Sequence, residues 1–395
     1  MVFRSILLLS VSSSIALAAT IHIPTDYSTI QSGIDAANDG DEVVIAPGTY
    51  TGLGNRDISF LGKAIEVRSE FPEDPAVIDA EGLGRGFDFA NGETSASILD
   101  GLIIKRGRPK IDSNGGGGMR FIDGSSPIIR HCTIRDSHLT EYPRADNWTT
   151  YGGGILVVSS SPLFENCQFI SNRADSAEEY NPSHGGGAAL LSSQAIFRAC
   201  TFDGNVTGQN YVIQGYGGGV YVSGGDNLFE NCIFVHNRAF SNGTYSYAGI
   251  GGAAYAGGPT QFVNCTFDDN STQAAPWSSG NGGTIWAGNN LVVRNCIITG
   301  NPRPNHIAGS ANISYTCVHN ESHSGDGNIT ADPKLFNWGD YIAVPRPFSP
   351  CIDAGTGLHD GIDWCTVHPL YCQHNSQFIP DMGAYGGPWD FLWQD

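Results

Sequence analysis

Aligned on a recurring cysteine, the apolar and polar positions between residues 116 and 301 fall into fixed columns. Three residues before Cys132, Cys167, Cys200, Cys232, Cys265 and Cys296 stand Ile129, Phe164, Phe197, Phe229, Phe262 and Val293. Two residues after them stand Ile134, Phe169, Phe202, Phe234, Phe267 and Ile298. The two apolar columns differ in parity, so one straight strand cannot turn both inward. A corner must lie between them. The residue just before each cysteine is His131, Asn166, Ala199, Asn231, Asn264 or Asn295, and asparagine tolerates the left-handed backbone of a tight corner. Stacked asparagines at this corner are predicted to hydrogen-bond from coil to coil. Arg130, Glu165, Arg198 and Glu230 alternate in sign beside it and predict a ladder of opposite charges.

Each unit opens on glycine: Gly116-Gly117-Gly118, Gly152-Gly153-Gly154, Gly185-Gly186-Gly187, Gly217-Gly218-Gly219, Gly251-Gly252 and Gly282-Gly283. The cysteine follows 14 to 16 residues later, and successive cysteines are 31 to 35 apart. A period of this size means a solenoid, because one unit cannot bury its own apolar face and must stack on its neighbours. A second polar column, Ser137, Asn172, Asn205, Asn237, Asn270 and Asn301, closes the third strand of each coil and starts a long loop. Three short parallel strands per coil give an all-β fold, a single-stranded parallel β-helix, right-handed by the general preference of parallel crossovers. The six ladder cysteines then point inward as buried thiols.

The ends need closing. Ser28-Thr29-Ile30-Gln31 has a capping-box pattern, and Ile30, Ile34 and Ala37 follow at helical spacing. A helix over 29–38 is predicted to plug the first coil, followed by the strand Val43-Val44-Ile45-Ala46. The chain divides into a signal over 1–18, an N-terminal cap and first coils over 19–110, six regular coils over 111–305, and a closing coil and cap over 306–395. Outside the repeat lie four cysteines, expected to pair as Cys365 with Cys372 and Cys317 with Cys351.

Charge and leader narrow the setting. Met1-Val2-Phe3-Arg4, the apolar run to Leu17 and the small-x-small Ala16-Leu17-Ala18 read as a secretory signal, so the mature chain begins at Ala19 and is secreted or held at the cell surface. No later stretch is long and apolar enough for a membrane span. Lys+Arg 20 against Asp+Glu 39 gives a net charge of −19, which repels nucleic acid and polyanions unless cations intervene.

Gly-Gly-x-apolar paired with Phe-x-x-Asn (Phe169 to Asn172, Phe202 to Asn205, Phe234 to Asn237, Phe267 to Asn270) resembles the right-handed β-helix repeats of bacterial secreted proteins and polymorphic outer-membrane adhesins. Ile21-His22-Ile23-Pro24 through Ala46-Pro47-Gly48-Thr49-Tyr50 resembles the start of pectin-lyase-like chains. Ser349-Pro350-Cys351-Ile352-Asp353-Ala354-Gly355 and Asp381-Met382-Gly383-Ala384-Tyr385-Gly386-Gly387 look like the close of bacterial β-helix surface proteins. The resemblance implies fold and export. For activity it spans lyases, hydrolases, esterases and non-catalytic adhesins. It carries neither the basic cluster of a pectate lyase nor the Gly-Tyr-Gln-Asp signature of pectin esterases.

In the Gly-opened strand the outward column reads Arg120, Leu156, Ala189, Tyr221, Tyr255, Trp286. Three successive exposed aromatics would form a stacking platform for sugar rings, with Arg120 beside it. In the enzymes resembled, this face and its loops form the substrate groove. Glycoside hydrolysis needs two carboxylates across the scissile bond, and Asp146 with Asp175 or Glu178 could supply them from neighbouring loops. Asp39-Gly40-Asp41-Glu42 and Asp326-Gly327-Asn328 gather oxygens suited to calcium, or to ordinary turns. Two readings follow. One is a non-catalytic exported β-helix that binds an extracellular polysaccharide, a surface glycan or another partner through its aromatic loop face. The other is a polysaccharide lyase or glycoside hydrolase.

Overall fold

In the computed structural model the columns become faces of a right-handed parallel β-helix. The structure describes residues 18–109, 115–140, 149–175, 181–208, 214–241, 249–273, 283–301 and 305–338, and beyond these only short stretches, among them 341–346, 349–352 and 382–383. The Gly-opened face stacks Phe87–Phe89, Met119–Phe121, Ile155–Val158, Ala188–Ser193, Val220–Gly225 and Ala254–Ala256. The second face, before the corner, runs from Thr20–Ile23 and Glu42–Ile45 through Leu163–Glu165 to Thr260–Val263. In the last two coils both faces join into single strands, Ile285–Arg294 and Ile307–Ser314. The third face carries the residues after each cysteine, from Thr49–Tyr50 to Cys317–Val318. All pairings within these three faces are parallel, with aligned columns such as Phe164↔Phe197 and Phe169↔Phe202; the register shifts once, between Ala287 and Leu291, where Ile285–Arg294 pairs with Ile307–Ser314.

The parity argument holds residue by residue. His131, Asn166, Ala199, Asn231, Asn264 and Asn295 all have φ between 47° and 54°, the left-handed turn that brings both apolar columns inside. Phe164, Phe197 and Phe229 stack at 4.6 and 4.8 Å, and Phe169, Phe202 and Phe234 at the same spacings. The ladder cysteines are buried thiols. Each Sγ donates to a carbonyl of the preceding coil, as Cys167 does to Ile129 at 3.4 Å and Cys232 to Phe197 at 3.4 Å. Burial in this apolar stack pushes the Cys132 thiol up to about 12. In the coil after Cys296 the same position is Thr316, whose hydroxyl bonds Val293 O. Cys317 is therefore one residue out of the ladder, on the outside of the third face.

The asparagine ladder forms one column later than the corner. Asn172 donates from its backbone N to Asn205 Oδ1 at 3.0 Å, Asn205 does so to Asn237 at 3.0 Å, and Asn237 to Asn270 at 3.1 Å. Each Nδ2 returns to a core carbonyl, such as Asn205 to Phe169 O at 2.8 Å. The physical reason is a second left-handed residue, Asp136, Ser171, Gly204, His236 or Asp269. It turns the following side chain inward, where its amide must find partners. The charge ladder is present and longer than expected: Arg130 pairs with Asp100 at 2.7 Å and Glu66 at 2.9 Å, and Arg198 with Glu230 at 3.1 Å and Glu165 at 3.5 Å.

The helix spans Ile30–Ala36 and buries Ile30 and Ile34. Its cap is Thr29, whose hydroxyl accepts from Ser32 N, and not the capping box. Gln31, at the third box position counted from Ser28, reaches sideways and accepts from Ser59 N at 2.8 Å. Lys63 Nζ closes the other end on the carbonyls of Ile34, Asp35 and Ala37. The C-terminal segment returns along the third face. Ala343 packs on the outward Ile233 and Val235, and Cys351 and Met382 pack on Ile297 and Cys317. Cys317 and Cys351 are neighbouring buried thiols, so the expected bridge between them is not formed here. Cys365 and Cys372 lie outside the described residues.

Candidate aromatic face

The long loops leave and rejoin the coils as strands of their own. After the asparagine column comes a ladder of His138–Thr140, Arg173–Asp175, Val206–Thr207, Arg238–Ala239 and Ser271–Thr272. Just before the glycines comes a second ladder, Thr150–Tyr151, Ser183–His184 and Gly215–Tyr216. The glycine openings make this return path possible. Gly152, Gly185 and Gly217 have φ of 63° to 71°, and a Cβ on Gly186 or Gly218 would stand 2.4 Å from the next coil's carbonyl oxygen. Only glycine lets the returning strand turn this sharply against the coil.

The turn sets two aromatic columns against each other. Tyr151, His184 and Tyr216, each immediately before a glycine opening, stack at 4.8 and 5.0 Å. Tyr221, Tyr255 and Trp286 stack at 5.1 and 4.3 Å, with interplanar angles of 17° and 5°. His184 meets Tyr221 edge-on at 4.4 Å, and Tyr216 meets Tyr255 edge-on at 5.1 Å. The result is one six-ring cluster outside the barrel. Its returning column covers the positions below Tyr221, so Leu156 and Ala189 are buried although they point away from the core. Tyr151, His184 and Tyr216 were legible as a set only through their shared place before the glycines.

Ring orientation changes what this face offers. Tyr221, Tyr255 and Trp286 lie face to face along the solenoid axis, so Tyr255 has both faces covered and presents its edge outward. Trp286 is the last ring. The next residue in its column is Ala308, which leaves the distal indole face with no aromatic neighbour in register. The rings are half-buried, and burial pushes Tyr221 up to about 12 and also raises Tyr151 and Tyr255. Burial drives His184 down to about 4, outweighing its bond to the Thr150 backbone. Its Nδ1 has no hydrogen-bond partner. The cluster is thus uncharged near neutral pH.

The charged candidates are placed differently. Arg120 lies in the same column but is held by Asp88 through two bonds of 2.8 and 2.6 Å. Asp175 is fully buried on the outer ladder, paired with Arg173 and 3.1 Å from His138 Nε2. Asp146 and Glu178 lie outside the described residues. In the two acidic turns the side-chain oxygens serve the backbone: Asp39 accepts from Ala64 N and Asn328 from Thr316 N. Among the described residues no group of three or more His, Cys, Asp or Glu is arranged to hold a metal. No helix among them is long and apolar enough to cross a membrane.

Residues 90–213 match the family described as a right handed beta helix region. No curated protein sequence matches the chain significantly. Among solved structures the chain is similar to pectate lyase Pel9A, at 13% identity over 94% of this chain and 97% of that one, with a TM-score of 0.47. It is also similar to an alginate lyase from Paenibacillus sp., at 16% identity over 74% and 99%, TM-score 0.41. A pectin methylesterase in complex with a hexasaccharide aligns at 13% identity over 79% and 80%, TM-score 0.32. These likenesses concern the path of the backbone alone.

Proposed function

We propose that this protein is exported and binds an extracellular polysaccharide or surface glycan through the aromatic face, without cleaving it. The observation that carries the reading is the six-ring cluster outside the core, uncharged and built on a rigid ladder. Tyrosine edges present hydroxyls to sugar hydroxyls, and the distal face of Trp286 offers a surface for an apolar sugar face, worth about 0.5–1.5 kcal/mol. Export rests on the leader pattern at residues 1–18.

The ring geometry gives the test its shape. On a glycan that binds in an array, Trp286→Ala should lower affinity several-fold while the melting temperature holds. Tyr255→Ala should lower both, because its ring supports Tyr221 and Trp286 on either side. Unchanged affinity in Trp286→Ala would remove the reading.

A second reading, a polysaccharide-active enzyme, is favoured by one contact. Asp175 holds the ring of His138, whose side chain is 39% exposed, as a carboxylate holds a general base. Release of reducing ends or of unsaturated product absorbing in the near ultraviolet, abolished in His138→Gln, would establish it.

A further inference from the structure

Ala19, the first residue of the expected mature chain, sits beside a fixed carboxylate. Its backbone nitrogen donates to Asp41 Oδ1 at 2.7 Å, and its carbonyl accepts from Glu42 N at 2.9 Å. The strand that follows then pairs in register, Thr20↔Glu42 to Ile23↔Ile45. Asp41 is only 7% exposed, and its other oxygen is pinned by Asn38 N at 2.7 Å. The charged groups around this corner have other partners. Lys63 donates to the helix-end carbonyls, Glu42 pairs with Arg68, and Asp39 accepts from Ala64 N. Ala18 is exposed, so the bond between Ala18 and Ala19 is open to a peptidase.

We propose that Asp41 is a receptor for the amino terminus created by cleavage between Ala18 and Ala19. Hydrolysis adds water across that peptide bond, leaving a carboxylate on Ala18 and an amine on Ala19. The amine takes up a proton and becomes an ammonium at the position where the uncut chain has a neutral N–H. A 2.7 Å amide bond thereby becomes a charge-assisted ion pair, and removal of the leader tightens the first strand on the helix cap. This inference uses the export reading and is independent of the glycan.

The sign of the pH dependence follows. An α-amino group titrates at about 8 when unfolded. Pairing with Asp41 raises that value in the folded state, so the added stability is full below about pH 8 and fades as pH rises through the raised value. Three chains test it: one beginning at Ala19 with a free amine, one extended by Gly-Ser ahead of Ala19, and the free-amine chain carrying Asp41→Asn. Thermal unfolding between pH 6 and 11 should show the free-amine chain more stable than the extended one at pH 7, with the gap closing above pH 9. A raised value of at least one unit corresponds to about a tenfold change in the folding equilibrium. Asp41→Asn should abolish the gap. In the native free-amine chain the α-amine should also react several-fold more slowly with an acylating reagent at pH 8 than in the unfolded chain. Superimposed unfolding curves with no protection of the amine would overturn the clamp while leaving export intact. An exported protein whose first residue is not Ala19 would also overturn the clamp alone, whereas a chain that keeps its leader and is not exported would overturn both.

Discussion

At the scale of single residues, the corner explains the sequence more fully than propensity does. His131 stands where most coils carry Asn and keeps a φ of 52°, with its Nδ1 2.8 Å from Asp100. That bond holds His131 above its usual range. Burial alone would raise Asp100, but the bonds from His131 and Arg130 outweigh it and hold the carboxyl below its usual range. The pair is complete only with the imidazole protonated and the carboxylate ionised. Its contribution is full below about pH 6.5 and fades as pH rises through the raised His131 value; on the acid side it fades as pH falls through the depressed Asp100 value. His131→Asn keeps the corner, so the urea-midpoint difference from the parent should shrink between pH 6 and 9. A constant difference would mean that the pair is not coupled to folding. Cys200 gives a second residue-scale expectation. Its thiol already has acceptors in Phe164 O at 3.6 Å and Arg198 O at 3.3 Å. Cys200→Ser should therefore cost toward the lower end of about 1–3 kcal/mol for a polar group placed in an apolar stack. No loss in urea unfolding would put the side chain outside that stack.

At the scale of elements, the asparagine ladder ties one coil to the next by buried side-chain amides. Asn205 accepts from Asn172 N and Nδ2 at 3.0 and 3.1 Å and donates to Phe169 O at 2.8 Å, all inside the barrel. Asn205→Ala takes the partner from two buried groups of the preceding coil, Asn172 N and Phe169 O, at about 1–3 kcal/mol each. A loss of more than about 2 kcal/mol is expected from chemical denaturation, and hydrogen exchange at Asn172 should speed up with it. Loss confined to exchange at residue 205 itself would show that the ladder is not cooperative. The aromatic columns obey the same one-coil spacing, which is why their ring faces are turned toward each other and why the Tyr221–Tyr255–Trp286 stack ends at Trp286, with Ala308 next in register.

At the scale of the whole molecule, stability is a sum over coils and their interfaces. Deleting residues 168–200 joins Cys167 to Thr201, which occupies the register position of Gln168; the apolar, corner and amide columns continue unbroken, and only the charge column is interrupted, where loss of Arg198 sets Glu165 against Glu230. That shortened chain should fold cooperatively with a smaller denaturant slope, since it buries less surface. Deleting 168–183 instead would set apolar columns against polar ones, and no cooperative transition is expected. Equal behaviour of the two deletions, by circular dichroism in urea, would argue against column register as the source of the fold. The net charge of −19 acts at this scale as well, favouring solubility and disfavouring polyanionic partners.

The sequence by itself determined the coil. A period of 31 to 35 residues, two apolar columns of opposite parity and an asparagine between them admit one arrangement, because side-chain direction in a strand alternates with no freedom to compromise. It also showed Tyr221, Tyr255 and Trp286 as one outward column. Only the tertiary structure decided which polar column forms the amide ladder, since that depends on a left-handed residue that can be Asp, Ser, Gly or His. Only it brought Tyr151, His184 and Tyr216 over that outward column, buried Leu156 and Ala189 beneath them, and turned the ring faces inward along the stack. Those contacts join residues on different coils through loops of unequal length, and loop sequence carries no period from which such a meeting could be read.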